Sequence, residues 1–148
     1  MLGEIERRLE EQRAGRMLPF TVLDEEGVPA GMTTYMNIDA KSPRVEIGST
    51  WYARRVQRTA LNTQCKRLLL EHAFEVLGCI AVEFRTSSFN RASRQAIERI
   101  GAKPDGILRN HSRHSNGTLR DTCVYSILES EWPGVRVQLD AMLGKHAQ

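Results

Sequence analysis

The sequence predicts an α/β protein built on one mixed β-sheet with helices packed on its faces. Three observations carry this expectation. Short apolar runs alternate with a period of two near both ends of the chain. Residues 62–77 carry apolar side chains at helical spacing. The strand-like runs come in consecutive groups, so the chain is no strict alternation of strand and helix.

Taken in order, residues 4–14 are rich in Glu, Arg and Gln, with Ile5 and Leu9 as a thin apolar stripe and Gly15 as a stop, which reads as a short exposed helix. Residues 19–23, 30–38 and 45–53 read as three strands. The first two are separated by the turn residues of Asp24-Glu25-Glu26-Gly27, and Gly48 inside the third suggests a bulge or a close backbone approach. The second helix, 62–77, places Cys65, Leu68, Leu69, Ala73, Val76 and Leu77 on one face and ends at Gly78. Ile80, Val82 and Phe84 alternate in a strand over 80–86. Asn90 can cap a third helix carrying Ala92, Ala96, Ile97 and Ile100, closed by Gly101. Residues 105–113 and 119–128 read as a hairpin around Asn116-Gly117, and 132–143 as a last helix with Pro133 in its first turn.

The chain has 148 residues, 41% of them hydrophobic and 26% charged, which predicts one globular domain over 1–148 with a core that needs no disulfide or structural metal. The net charge of +3 suits an acidic ligand such as a phosphate ester. With aromatics at 6%, a dedicated nucleic-acid binder is not expected. Cys65, Cys79 and Cys123 share no CxxC spacing, and His72, His111, His114 and His146 form no zinc motif, so no metal is expected. No apolar stretch reaches the ~18 residues of a membrane span, and Met1 is not followed by a signal-peptide core. The expected setting is the cytoplasm, without a membrane partner.

One constellation points to chemistry. The third strand runs into a loop holding Arg54, Arg55 and Arg58, and the loop runs into the strong helix. A helix start offers free backbone N–H groups and partial positive charge, so strand, basic loop and helix together suit a phosphate. An ordinary connection with solvated arginines gives the same local pattern.

The wider segment is similar to a known family. Val45-Glu46-Ile47-Gly48-Ser49-Thr50-Trp51-Tyr52, then Gln57 through Lys66, then Leu68-Leu69-Leu70 resembles motif A of the GNAT acyl-CoA N-acyltransferase superfamily. Val82-Glu83-Phe84-Arg85-Thr86 with Asn90-Arg91-Ala92-Ser93 and Ile100-Gly101-Ala102 forms a second matching block, and Gly106 to Arg109 with Leu119 to Ser126 a third. Residues 18–143 resemble the branch of the ribosomal-protein N-terminal acetyltransferases. Two departures stand out. Ala60 and Asn62 occupy positions where the family has glycine and a small residue, and the strand and helix that open the family fold are absent before residue 4.

The resemblance implies acetyl-CoA as co-substrate and transfer of its acetyl group to a primary amine, either a protein α-amine or a small molecule. It implies pantetheine contacts at Trp51, Tyr52 and Ala53, and pyrophosphate contacts along Gln57, Arg58, Thr59, Ala60, Leu61, Asn62 and Thr63. Asn90 is either a pantetheine ligand or a plain helix cap. Glu46 is the implied base, with an ion-pair role as the alternative. Ser93 or a water would protonate the leaving thiolate, while Tyr125 and Glu83 are expected in structural roles and Cys65 and Cys79 in the core. At pH 7 an α-amine of pKa ~7.8 is ~15% neutral and a lysine only ~0.04%, which favours the α-amine as acceptor. A non-catalytic CoA-binding module is the rival class. With the family's opening strand missing, residues 19–23 would form an open sheet edge, so the expectation is a homodimer that covers it or a chain whose true start lies upstream.

Overall fold

The computed structural model describes the backbone of residues 2–147 and the side chains of residues 2–144; the side chain of His146 lies outside them. Helix α1 (Leu2–Arg13) is followed by strands β1 (Leu18–Leu23), β2 (Pro29–Asp39) and β3 (Arg44–Tyr52), then by a single 3₁₀ turn, Arg54–Val56. Helix α2 (Leu61–Glu71), strand β4 (Ala81–Ser87) and helix α3 (Arg91–Arg99) come next. Strands β5 (Lys103–Arg113) and β6 (Leu119–Leu128) lead to helix α4 (Trp132–Ala147). The six strands form one sheet in the order β1-β2-β3-β4-β6-β5. It is a mixed sheet, as expected, because β3 and β4 run parallel while every other neighbouring pair is antiparallel.

The parallel pair is short. Its register runs from Arg44 opposite Ala81 to Glu46 opposite Glu83, after which β3 and β4 diverge. A bulge on the other side of β3 accompanies the divergence. Met32 faces Trp51 and Thr34 faces Gly48, so β3 carries one residue more than β2 over this stretch, and Ser49 takes a φ of +48°. An extra residue sharpens local twist and bends the bulged strand. Sequence placed this irregularity at Gly48; the bulged residue is its neighbour. Gly48 itself is closely packed: a Cβ there would stand 2.9 Å from Sδ of Met36, so the Met36 side chain would have to shift.

The buried face of α2 matches the expected one only in part: Ala73 is buried and Leu69 packs against the core, but Leu68, Val76 and Leu77 do not. Thr63, Lys66 and Leu70, then Ala73 and Phe74 in the turn that follows, pack inward, while Leu68 is 64% exposed and Val76 and Leu77 are exposed. The helix is apolar on more than one side, and after Glu71 it widens into a π turn, His72–Val76, that rotates its last residues out of register with the first two turns. Gly78, at φ +68°, closes it. The hairpin around Asn116-Gly117 forms as expected. Gly117 takes a φ of +88°, and His114 N–H donates to the carbonyl of Thr118 at 2.8 Å.

The core joins Tyr35, Val45 and Ile47 to Leu70, Phe84, Tyr125 and Ile127, and extends to Trp132 and Leu139 of α4. Trp132 stacks on Phe74 with ring centroids 5.6 Å apart. Cys79 and Cys123 are buried thiols; Cys65, on α2, is only half-buried and lines a groove with Phe20, Leu68 and Leu69 rather than sitting in the core. Among the described residues no helix is long and apolar enough to cross a membrane, and no cluster of His, Cys, Asp and Glu could hold a metal ion.

Candidate active site

The divergence of β3 and β4 opens a cleft of about 400 Å³. Ile47, Ser49, Thr50 and Tyr52 form one wall, Phe84 and Arg85 the other; Asn62 and Lys66 of α2 and Ser93 and Ile97 of α3 complete it. Parallel strands that part after three residue pairs leave backbone groups without a ladder partner, and these become free for a ligand. On the β2 side the groups are already used: Ala53 N–H donates to Ala30 C=O at 2.7 Å. Tyr52, one residue back, faces Gly31 in a pair that is not hydrogen-bonded, so its N–H points towards the cleft.

At the mouth of the cleft stands the start of α2. Leu61 N–H donates to Oγ1 of Thr59 at 3.3 Å, Thr59 Oγ1 donates to Val56 C=O at 2.5 Å, and the first intrahelical bond is Gln64 N–H to Ala60 C=O. Asn62 and Thr63 N–H therefore have no acceptor within the helix. Ala60 has right-handed helical angles, φ −69° and ψ −9°, so its methyl group is unstrained; the left-handed residue of the loop is Arg58, at φ +61°. Gln57 holds the loop to β3 by donating Nε2 to the carbonyl of Tyr52, and Tyr52 donates its hydroxyl to Oδ1 of Asn62 at 2.8 Å. Burial raises the Tyr52 phenol well above its ordinary range. Trp51 is 61% exposed beyond the cleft. Arg55 pairs with Asp24 and donates to the carbonyl of Pro29, so it serves the β1–β2 turn rather than the loop.

The Acetyltransferase (GNAT) domain matches residues 2–103. The chain belongs to the GNAT acetyltransferase family. A Bacillus subtilis (strain 168) protein named "Putative ribosomal N-acetyltransferase YdaF" is 33% identical over 109 residues. The match takes in 74% of this chain and 58% of that protein, so the chain spans less than two thirds of its relative's length. A GCN5-related N-acetyltransferase from Brucella melitensis superposes with a TM-score of 0.85 at 33% identity, over 95% of this chain and 64% of that one. Mycobacterium smegmatis RimJ, solved in complex with CoA-disulfide, superposes with a TM-score of 0.78 at 25% identity, over 93% and 65% of the two chains.

In this GNAT domain Glu46 lies on β3 at the point where the strands part. It is 7% exposed, and Oε1 accepts from Nδ2 of Asn37 at 2.8 Å. Nε of Arg85 stands 3.7 Å from the same oxygen, although Arg85 bonds more closely to Glu83, at 2.8 Å. Burial pushes the Glu46 carboxyl above its usual range, with Asn37 and Arg85 pulling it back. Glu83 is held between Arg85 and Arg44. Asn90 caps α3, its Oδ1 accepting from Ser93 N–H at 3.1 Å, and Ser93 lines the cleft. Tyr125 is fully buried, donates to Oε1 of Glu98 at 2.8 Å and accepts from Nε of Arg94 at 3.1 Å. Its proton is engaged away from the cleft. The residue that sequence reading passed over is Lys66. Its spacing was the available signal: it lies three residues after Thr63 and four before Leu70, on the face of α2 that is buried.

Proposed function

We propose that this GNAT domain is an acetyl-CoA-dependent N-acetyltransferase that moves an acetyl group to a primary amine by direct attack within a ternary complex, with a protein α-amine as the favoured acceptor and a small-molecule amine as the alternative. The supporting observation is the parting of β3 and β4 beyond Glu46 and Glu83, which makes a cleft with the α2 N-terminus at its mouth. Asn62 and Thr63 N–H groups, with the Arg58–Thr59–Ala60 turn, would take the pyrophosphate. The N–H of Tyr52 would pair with the pantetheine arm. The name of the Bacillus subtilis relative supports a ribosomal-protein acceptor for that protein, and the neutral fraction of α-amines favours the same class here.

In this reading Glu46 takes the amine proton. A desolvated carboxylate of raised pKa is a stronger base than a solvated one, and Asn37 fixes its orientation. Ser93, on the α3 side of the cleft, donates to the leaving thiolate or orders the water that does. Residues 1–148 act as one domain, in keeping with the continuous core, and the free thiols suit a cytoplasmic setting. A second copy covers the β1 edge.

Calorimetry with acetyl-CoA followed by thiol release over a panel of peptides and small amines tests the reading. Acetyl-CoA binding with amine-dependent thiol release is expected. Binding without release from any amine would leave a CoA-binding module, and no binding would end the proposal.

A further inference from the structure

Lys66 lies in the wall of the cleft, one helical turn along α2 from Asn62 and lining the same space as the α3 residues. It is 8% exposed, its Nζ is enclosed, and it has no hydrogen-bond partner among the described residues. An ammonium has three donors, and enclosing it with none of them satisfied is among the costliest arrangements a fold can hold. The groups that face it do not relieve this. Cys65 is its neighbour on α2. Tyr52, from β3, donates its hydroxyl to Asn62 and makes no hydrogen bond to Nζ, and Arg85 on β4 is itself cationic and turned to Glu83 and Glu46. From α3 come Ser93, Ala96, Ile97 and Ile100, none of which titrates. Burial lowers the Lys66 ammonium to about 8, with only the Cys65 thiol pulling it upward.

We propose that Lys66 is a binding residue for the acyl donor, its ammonium donating to a carbonyl oxygen of the pantetheine arm when that arm fills the cleft. This rests on the cleft being an acyl-CoA site. The position favours the arm over the phosphates: Lys66 is three residues past Thr63, about 4.5 Å further along the helix axis, and inside the cleft rather than on the loop. A carbonyl entering an apolar cleft leaves its water behind and needs a donor. A buried donor without an acceptor is the complementary deficit.

The pairing has a thermodynamic signature. In the free protein the lysine is largely neutral above pH 8, whereas an acceptor oxygen beside it favours the charged form. Acetyl-CoA binding near pH 8.5 therefore takes up protons. Calorimetry at that pH in two buffers of different ionisation enthalpy reads the uptake directly, for the wild type and for Lys66→Met. The wild type should take up a clear fraction of a proton per acetyl-CoA. Lys66→Met should take up none and bind roughly tenfold or more weakly, while the free variant melts at the same temperature or higher because an unpaired buried charge has gone. Adenosine 3′,5′-bisphosphate, which lacks the arm, should bind both proteins alike. Unchanged acetyl-CoA affinity and uptake in Lys66→Met would overturn the role of Lys66 and leave the acetyltransferase reading intact. Equal weakening of the bisphosphate would overturn its assignment to the arm. Should Lys66→Met not fold, absence of proton uptake by the wild type overturns the proposal alone. A wild type that binds no acetyl-CoA overturns the reading of the cleft together with the role of Lys66.

Discussion

Asn37 reaches across the β2–β3 ladder to donate to Glu46 at 2.8 Å, and it does so from a backbone φ of +47°. The register there passes from Met36 opposite Glu46 to Asp39 opposite Arg44, so β2 carries an extra residue and Asn37 is lifted out of the ladder. Asparagine tolerates this conformation better than most residues. The result is a carboxylate held in orientation by a neutral donor, with the Arg85 cation at a looser 3.7 Å.

Burial of the Glu46 carboxylate should show in both stability and turnover. Its folded-state pKa lies above the unfolded value, with burial as the main cause. Its contribution to stability is therefore complete below the ordinary carboxylate range and is lost as pH rises through the folded pKa. At neutral pH the ionised form is a net burden on the fold. Glu46→Gln keeps an oxygen for Asn37 and removes the charge. It should melt at the same temperature or higher at pH 7.5 while thiol release falls roughly 100-fold. Wild-type turnover should decline on the acid side as Glu46 takes a proton. A variant that turns over like the wild type would remove Glu46 as the base.

Ser93 and Tyr125 separate the two sources of a proton for the thiolate. Tyr125 is the stronger acid in water, yet its hydroxyl is committed to Glu98 and Arg94. Tyr125→Phe should cost about 1 kcal/mol of stability and leave kcat nearly unchanged. Ser93→Ala should lower kcat several-fold with little effect on acetyl-CoA affinity. The opposite pattern, a loss of turnover confined to Tyr125→Phe, would give the acid role to the tyrosine.

Much of this was legible in the sequence, and the exceptions share a cause. Strands and turns declare themselves through alternation and through residues such as Gly78 and Asn116-Gly117, whose conformations are local. The inward face of α2 is not local. Leu68, Leu69, Val76 and Leu77 are as apolar as Leu70 and Phe74, and only packing against Tyr35 and Val82 decides which of them is buried. The inward position of Lys66 was passed over for the same reason: its spacing from Thr63 and Leu70 was there to read, but a lysine reads as solvated until its neighbours are known. The strand–loop–helix arrangement, by contrast, follows from chain order alone. The commitment of Tyr125 to Glu98 required the register of β6 and α3.

Gly31 tests how the cleft is built. A Cβ at this position would lie 2.2 Å from the carbonyl oxygen of Trp51 and 3.1 Å from Cα of Tyr52. Both contacts are backbone, so no rotamer change relieves them. Gly31→Ala should destabilise the chain by roughly 3 kcal/mol, the upper end for overpacking. It should also weaken acetyl-CoA in whatever fraction folds, since the end of β3 that carries Tyr52 is what must move. A melting temperature within a degree of the wild type would show that β2 has room for a methyl group against the end of β3.

Among the described residues β1 is the terminal strand, paired on one side only, with β2. Beside it runs a groove lined by Phe20, Val22, Leu68 and Leu69, and Leu23 at the end of the strand is 52% exposed. Pro19 guards only the start, and Glu25 and Glu26 lie past the end, so the middle of the strand keeps free N–H and C=O groups beside apolar side chains. An antiparallel edge is self-complementary: a two-fold axis beside β1 pairs it with its own copy and joins the two grooves. Light scattering of the 148-residue chain at micromolar concentration should therefore give twice the 16.8 kDa chain mass. Leu68→Lys places a charge in the groove at an exposed position, where the fold should tolerate it within about 0.5 kcal/mol, and should shift the chain towards monomer. A wild type that stays monomeric and soluble across this range while releasing thiol at full rate would rule out the dimer.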